Sequence, residues 1–303
     1  MNPDRQNGSE EGSAADASSA ARVRAVLLEH LPGYEPVTIT VTGVEPRTGS
    51  GGELVEVDGT LGISLPTSAG PVGSHRLRPS VEATLLRSLA GLLDVPLPVP
   101  VLQDDEQSVR GFRTVPGRRL GDLPDLEPPA ALRLARRLGA ALADLHGVDA
   151  SDTGADLPIV GGPESYRAAA ARVWAAVGGA VTDAGLHAAV TQFLQEPAPD
   201  HPPHPSLCHL DLRPASILLD EDSLLCGIQH WANAGVGDPA RDLGSVLLYL
   251  GSAGLGAALD GYRRAGAVTD DDPELAQRIV FHARCAAIED AVRHPERLAS
   301  GGW

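Results

Sequence analysis

At 303 residues the chain is long enough for one large domain or two modest ones with a substantial core. Its 24 basic residues are all Arg and 40 residues are acidic, giving a net charge of −16 and a pI near 4.9; chemistry on a lysine amine is excluded, and nucleic acid and anionic membranes, which both require a basic patch, are poor partners. Aromatic residues make up only 3%, which removes the stacking platforms used on single strands.

The first 20 residues, MNPDRQNGSEEGSAADASSA, lack the apolar stretch of a secretory signal and are expected to form a disordered tail (1–20). Order begins with AARVRAVLLEHL, where Val23, Val26, Leu27 and Leu31 share one helical face ended by Pro32-Gly33. The stretches 37–44, 53–59 and 60–66 are rich in β-forming residues, separated by RTGSGG and by a turn at Asp58-Gly59, and are predicted strands. A helix over about 81–93 follows, then strands around 99–103 and 108–115, and this half closes at Val115-Pro116-Gly117.

From Pro128 the period is mostly helical, with Leu132, Leu138, Leu142 and Leu145 at helical spacing and a second, Ala-rich helical stretch over 163–195. The period then switches: SLCHLDL and SILLDEDSLLCGIQHW read as short strands and a hairpin that turns at Asp220-Glu221-Asp222. Helices return over 240–250, 254–265 and 272–294. The expected architecture is α+β, with a small β-rich N-lobe (21–116) and a larger, mainly helical C-lobe (117–303) carrying an embedded hairpin. No run of 18 apolar residues points to a membrane span. Cys208, Cys226 and Cys285 match neither a zinc spacing nor a disulfide framework, so a cytoplasmic location is expected.

The chemistry-bearing residues concentrate in HLDLRPASILLDEDSLLCGIQHWANAGVGDPARD, from His209 to Asp242. Asp211 falls in a loop after a strand, five residues before Ser216, and the hairpin returns His230-Trp231 beside it. Gly237-Asp238-Pro239-Ala240-Arg241-Asp242-Leu243 follows. This layout resembles the catalytic segment of the aminoglycoside phosphotransferase family, kinase-like enzymes acting on small molecules. That family's pattern is His-x-Asp-x-x-x-x-Asn, a hairpin, Ile-Asp-Trp, then Gly-Asp-Pro-Ala-x-Asp-Leu. Upstream, LGAALADLHGVD resembles the family's Leu-Ala-x-Leu-His helix and TVPGRRL its lobe-joining segment, so the resemblance covers roughly residues 35–290.

The resemblance implies a protein-kinase-like two-lobed fold, with an antiparallel-sheet N-lobe on the nucleotide side and a C-lobe carrying the catalytic loop and acceptor side. In such transfer an Asp orients or deprotonates the attacking hydroxyl, and an Asn and a second Asp hold the metal that neutralises the phosphates. Asp211 keeps the catalytic position. Ser216 stands at the Asn position and His230 at the metal Asp position, offering a neutral oxygen and a soft nitrogen where Mg²⁺ favours carboxylate and water. His209 is expected to brace the loop, and Asp238 and Asp242 to cap a helix and bond loop backbone.

In the N-lobe Glu82 matches the family's helix Glu, but Ser64 stands where a strand Lys or Arg should meet the phosphates, leaving Arg76 or Arg78 to replace it. Gly49, Gly51 and Gly52 would offer backbone N–H groups to phosphates. Two readings follow. One is an impaired or pseudoenzymatic phosphotransferase with a binding or regulatory role. The other is an active small-molecule kinase using ATP and Mg²⁺, with Asp211 as base and Asp220 or Glu221 near the metal. Both imply a small-molecule ligand, and the acidic surface suits a cationic one.

Overall fold

In the computed structural model, which describes residues 7–44, 52–66, 76–267, 272–292 and 298, the β-rich and helical halves of the sequence form two separate units. The first holds Met1–Arg87 and Pro98–Val115, and the second Ser88–Leu97 and Pro116–Trp303. A single cut between residues 116 and 117 therefore misses Ser88–Leu97, which folds with the helical half.

The first unit opens with helix α1 (Asn7–His30). The stretch up to residue 20, expected to be disordered, is thus helical from Asn7. Ala14, Ala15, Ala17 and Ala20 favour helix, and Glu10 and Glu11 sit near the positive N-terminal end of its dipole. Five strands follow, β1 (Ile39–Val44), β2 (Gly52–Val57), β3 (Leu61–Pro66), β4 (Val99–Asp104) and β5 (Val109–Arg113), with helix α2 (Pro79–Leu89) between β3 and β4. They form one antiparallel sheet in the order β1-β2-β3-β5-β4. Val23, Val26 and Leu27 of α1 bury against Val55, Val57, Ile63 and Leu65 of the sheet. Helix α2 ends at Leu89 rather than near 93 because Gly91, at φ 87°, turns the chain out of the helix.

The second unit runs through β6 (Arg118–Arg119), α3 (Pro128–His146), α4 (Pro163–Val177), α5 (Ala184–Gln195), β7 (Ser206–Cys208), β8 (Ile217–Leu219), β9 (Leu225–Ile228), β10 (Gly235–Gly237), α6 (Ala240–Arg264) and α7 (Leu275–Asp290). The helical stretch expected over 163–195 is two helices, because Asp183 caps the second by accepting from the Leu186 N–H at 2.9 Å. Trp174, Phe193, Phe281 and Ile288 join α4, α5 and α7 in one core. Where the sequence separates 240–250 from 254–265, α6 carries Gly251 at φ 70° and ψ −177°, a break only glycine takes easily. By length and composition α6 would cross a membrane, yet its first turns bury Arg241 and Asp242 with Leu243 and Val246 inside the unit.

Candidate active site

In the second unit β7 pairs with β10, and β8 and β9 form the hairpin, pairing Ile217↔Ile228 and Leu218↔Gly227 before the register shifts to Leu219↔Leu225. Residues 209–216 cross from one pair to the other. Asp242, at the start of α6 and fully buried, holds this crossing by its backbone: it accepts from the His209 N–H and from the Leu210 N–H, each at 2.8 Å. His146 at the end of α3 adds a third contact at 3.2 Å and meets the Tyr262 hydroxyl at 2.9 Å. Burial pushes the Asp242 carboxyl upward, but the His146 and His209 bonds outweigh it and hold it below the ordinary carboxylate value. Asp238 accepts from the Ala240 N–H at 2.9 Å and pairs with Arg278 and His282, the capping arrangement expected.

Leu210, at φ 65°, turns the chain so that Asp211 leaves the strand direction. His209 accepts the Asp211 N–H on Nδ1 at 3.3 Å and donates from Nε2 to the Gln229 carbonyl at 3.0 Å, so the ring braces the loop. Both oxygens of the Asp211 carboxylate are engaged. Arg213 Nε donates to Oδ1 at 2.6 Å and Asn233 Nδ2 to Oδ2 at 2.9 Å. Arg213 in turn donates to Asp290 at 3.1 Å, and Asp290 accepts from Tyr249 at 2.7 Å. Burial raises the Asp211 carboxyl, but the Arg213 guanidinium more than offsets this and leaves it below its usual value. The result is a firmly oriented carboxylate and a weak base.

Ser216 and His230 come together beside Asp211. Ser216 Oγ donates to the Asp211 carbonyl at 3.1 Å and lies 3.4 Å from His230 Nδ1. With the one hydroxyl proton on the carbonyl, Nδ1 of His230 is the donor of that second contact. The pair therefore offers a metal one neutral hydroxyl oxygen and a soft ring nitrogen, and these residues do not fit Mg²⁺, which requires hard oxygen ligands. Asp220 does not help: its Oδ1 accepts from the N–H groups of Asp222 and Leu224 and shapes the hairpin turn.

In the first unit Ser64 is buried on β3, and its register partner on β5 is Arg110. Paired residues on antiparallel strands point to one face. Arg110 Nε lies 3.3 Å from Glu82 Oε2, both side chains being 4% exposed. Arg76 donates to Ser64 Oγ at 3.5 Å, while Arg78 turns to Asp105 at 3.9 Å. The cation beside Glu82 is thus Arg110, and not only Arg76 or Arg78 as expected. Gly52 pairs with Pro66 at the start of β2, while Gly49 and Gly51 lie outside the described residues.

Sequence reasoning missed Arg110, Arg213, Asn233 and Asp290. Arg110 carried a usable signal, a charge set between Val109 and Phe112 in an apolar strand, which demands a counter-ion. Arg213 stands two residues from Asp211 and was readable as its partner. Asp290, 77 residues away from Arg213, is joined only by the fold.

A five-stranded antiparallel sheet with its helix, followed by a helical unit carrying a loop, a hairpin and a buried Asp-held backbone, defines an α+β kinase-like fold. Residues 75–277 match the Phosphotransferase enzyme family, and the chain belongs to that family. It is 30% identical over 145 residues to the uncharacterized protein YcbJ of Bacillus subtilis (strain 168), a match covering 47% of this chain and 46% of the relative, about half its length. In structure it is similar to a macrolide 2'-phosphotransferase type I, with TM-score 0.63 and 22% identity over 94% of this chain and 95% of that one. It is also similar to the GDP complex of an aminoglycoside 2'-phosphotransferase-IIIa, with TM-score 0.65 and 16% identity over 93% and 95%.

Proposed function

We propose that this family member binds a small cationic molecule, acts in the cytoplasm, and is impaired in Mg²⁺-dependent phosphoryl transfer, so that its role is binding or regulation rather than turnover. The observation that carries this reading is the Ser216–His230 contact at 3.4 Å, which stands where two oxygen ligands would hold the metal. The engaged Asp211 carboxylate supports it by lowering the basicity available to an acceptor hydroxyl. The fold's similarity to phosphotransferases of macrolides and aminoglycosides and the net charge of −16 support a small-molecule, cationic ligand.

The second reading, an active small-molecule kinase, is favoured by one specific observation. The Arg110–Glu82 pair at 3.3 Å supports a guanidinium acting on the nucleotide phosphates in place of the strand cation missing at Ser64. Single-turnover transfer from radiolabelled ATP with Mg²⁺ or Mn²⁺ to a panel of aminoglycosides separates the two. Impairment predicts no acceptor-dependent transfer; transfer that Asp211→Ala abolishes establishes the active kinase instead.

A further inference from the structure

The second unit holds a cavity of about 650 Å³ between the first turns of α3, the end of α6 and the turn of the β8–β9 hairpin, with none of Asp211, Ser216 and His230 in its lining. Helix α3 contributes Arg133, Arg136 and Arg137, the end of α6 contributes Arg264, and the hairpin contributes Leu224, which is exposed, and Leu225 as apolar lining. Arg133 precedes His146 by 13 residues on α3, about 20 Å along the helix from the His146–Asp242 contact. Two glycines bring the helices together: a Cβ on Gly139 would overlap the Ala258 carbonyl, and one on Gly261 that of Arg136. Backbones therefore touch where Arg136 and Arg264 converge.

The charges are incompletely answered from within. Asp260 accepts from Nε of Arg136 at 3.0 Å and from Nε of Arg264 at 2.9 Å, so neither contact uses a terminal guanidinium nitrogen, and both side chains line the cavity. Asp94 holds Arg137 at 2.8 Å. Among the described residues Arg133 has no ion pair or hydrogen bond. The one carboxylate in the lining, Asp220, already accepts two backbone N–H groups of the hairpin turn. Guanidiniums over an apolar surface recognise carboxylate or phosphate oxygens by paired hydrogen bonds. In a chain of net charge −16, four arginines in one cavity make it a favourable place for an anion. An inorganic anion would leave the leucines wet, and a neutral molecule would leave Arg133 unanswered.

We propose that this cavity binds a small amphiphilic oxyanion, a phosphate monoester or carboxylate on an apolar body, with Arg133, Arg136 and Arg264 on the head group and Leu224 and Leu225 on the body. The site is independent of whether phosphoryl transfer survives. Calorimetric titration of the full chain at low salt with octyl phosphate, octanoate, octanol and inorganic phosphate tests it. Octyl phosphate or octanoate binds saturably, and octanol and inorganic phosphate bind at least about tenfold more weakly. Arg133→Gln weakens the octyl anions about tenfold and Arg133→Glu about a hundredfold. Arg24→Glu, on the exposed face of α1, leaves them unchanged. Because Arg133 is exposed and unpaired, both of its variants keep the parent melting midpoint without ligand. Equal binding of octanol, equal binding of inorganic phosphate, undiminished binding in folded Arg133→Glu, or no saturable binding by millimolar concentration each overturns the proposal.

Discussion

In the first unit the strand position expected to carry a cation holds Ser64, and in the second the positions expected to carry oxygen ligands hold Ser216 and His230. The outcomes differ. Beside Ser64, Arg110 reaches across from the neighbouring strand and pairs with Glu82 at 3.3 Å, so the positive charge is still there. Beside Asp211, Ser216 bonds to His230 and to the Asp211 carbonyl, so a hydroxyl and an imidazole stand at the two positions where oxygen ligands were expected. A charge acts at a distance and tolerates a new address, whereas a metal shell needs particular atoms in particular directions. Meanwhile Asp242 keeps its grip on the loop backbone, so the scaffold persists where the ligand chemistry has changed.

The largest expected effect tests that scaffold. Asp242→Asn places an amide N–H₂ against backbone donors in the buried core of the unit, and should cost about 3–5 kcal/mol of stability. Trp174, Trp231 and Trp303 all belong to the second unit, so tryptophan fluorescence in urea reads this loss directly. A loss under about 1 kcal/mol would mean the loop is held by other contacts. Next comes the relocated cation. Arg110→Ala strands a buried Glu82 carboxylate and should cost about 3 kcal/mol, while adding Glu82→Ala should recover most of it. Circular dichroism of the sheet-bearing unit checks the cycle, and additive losses would show that the two side chains do not act as a pair.

The α+β class, the order of strands and helices and the break at Gly251 were legible because hydrophobic period and glycine placement are local properties. The helical stretch from Asn7 was not, since a polar, Ala-rich sequence satisfies the criteria for disorder and for helix alike. For the site, the order of strand, loop and hairpin placed Asp211, Ser216 and His230 near one another, while the roles expected of them came from the resemblance to the family's catalytic segment. Arg110 could not be paired with Glu82 from spacing, because strand order β3-β5 sets that contact and no local signal encodes it. The Arg213–Asp290 contact was hidden for the same reason.

A smaller effect sharpens the contrast at the metal position. Ser216→Asn with His230→Asp restores two hard oxygen ligands while Arg110 remains in place, so the double variant should bind ATP about tenfold more tightly with Mg²⁺ than without, where the parent shows little Mg²⁺ dependence. Calorimetry at fixed ATP with and without the metal measures this. If Ser64→Lys is needed as well before Mg²⁺ matters, Arg110 is not serving as the phosphate cation.

The smallest effect concerns pH and falls on the second unit, which buries His282. Burial pushes the His282 imidazole below its ordinary value of 6.5 despite the Asp238 carboxylate 3.1 Å from Nε2. The Arg241 guanidinium acts in the same direction as burial, and Glu289 opposes it. Above 6.5 His282 is neutral folded and unfolded, and its contribution is fully present. As pH falls below 6.5 the unfolded chain takes up a proton that the folded chain refuses, so stability declines until the lowered folded value is reached, by at most about 1.4 kcal/mol per pH unit. Tryptophan-detected urea midpoints should therefore drop between pH 7.5 and about 5.5, and His282→Gln should start lower but show a shallower slope over the same interval. An unchanged slope in that variant would assign the decline to another group.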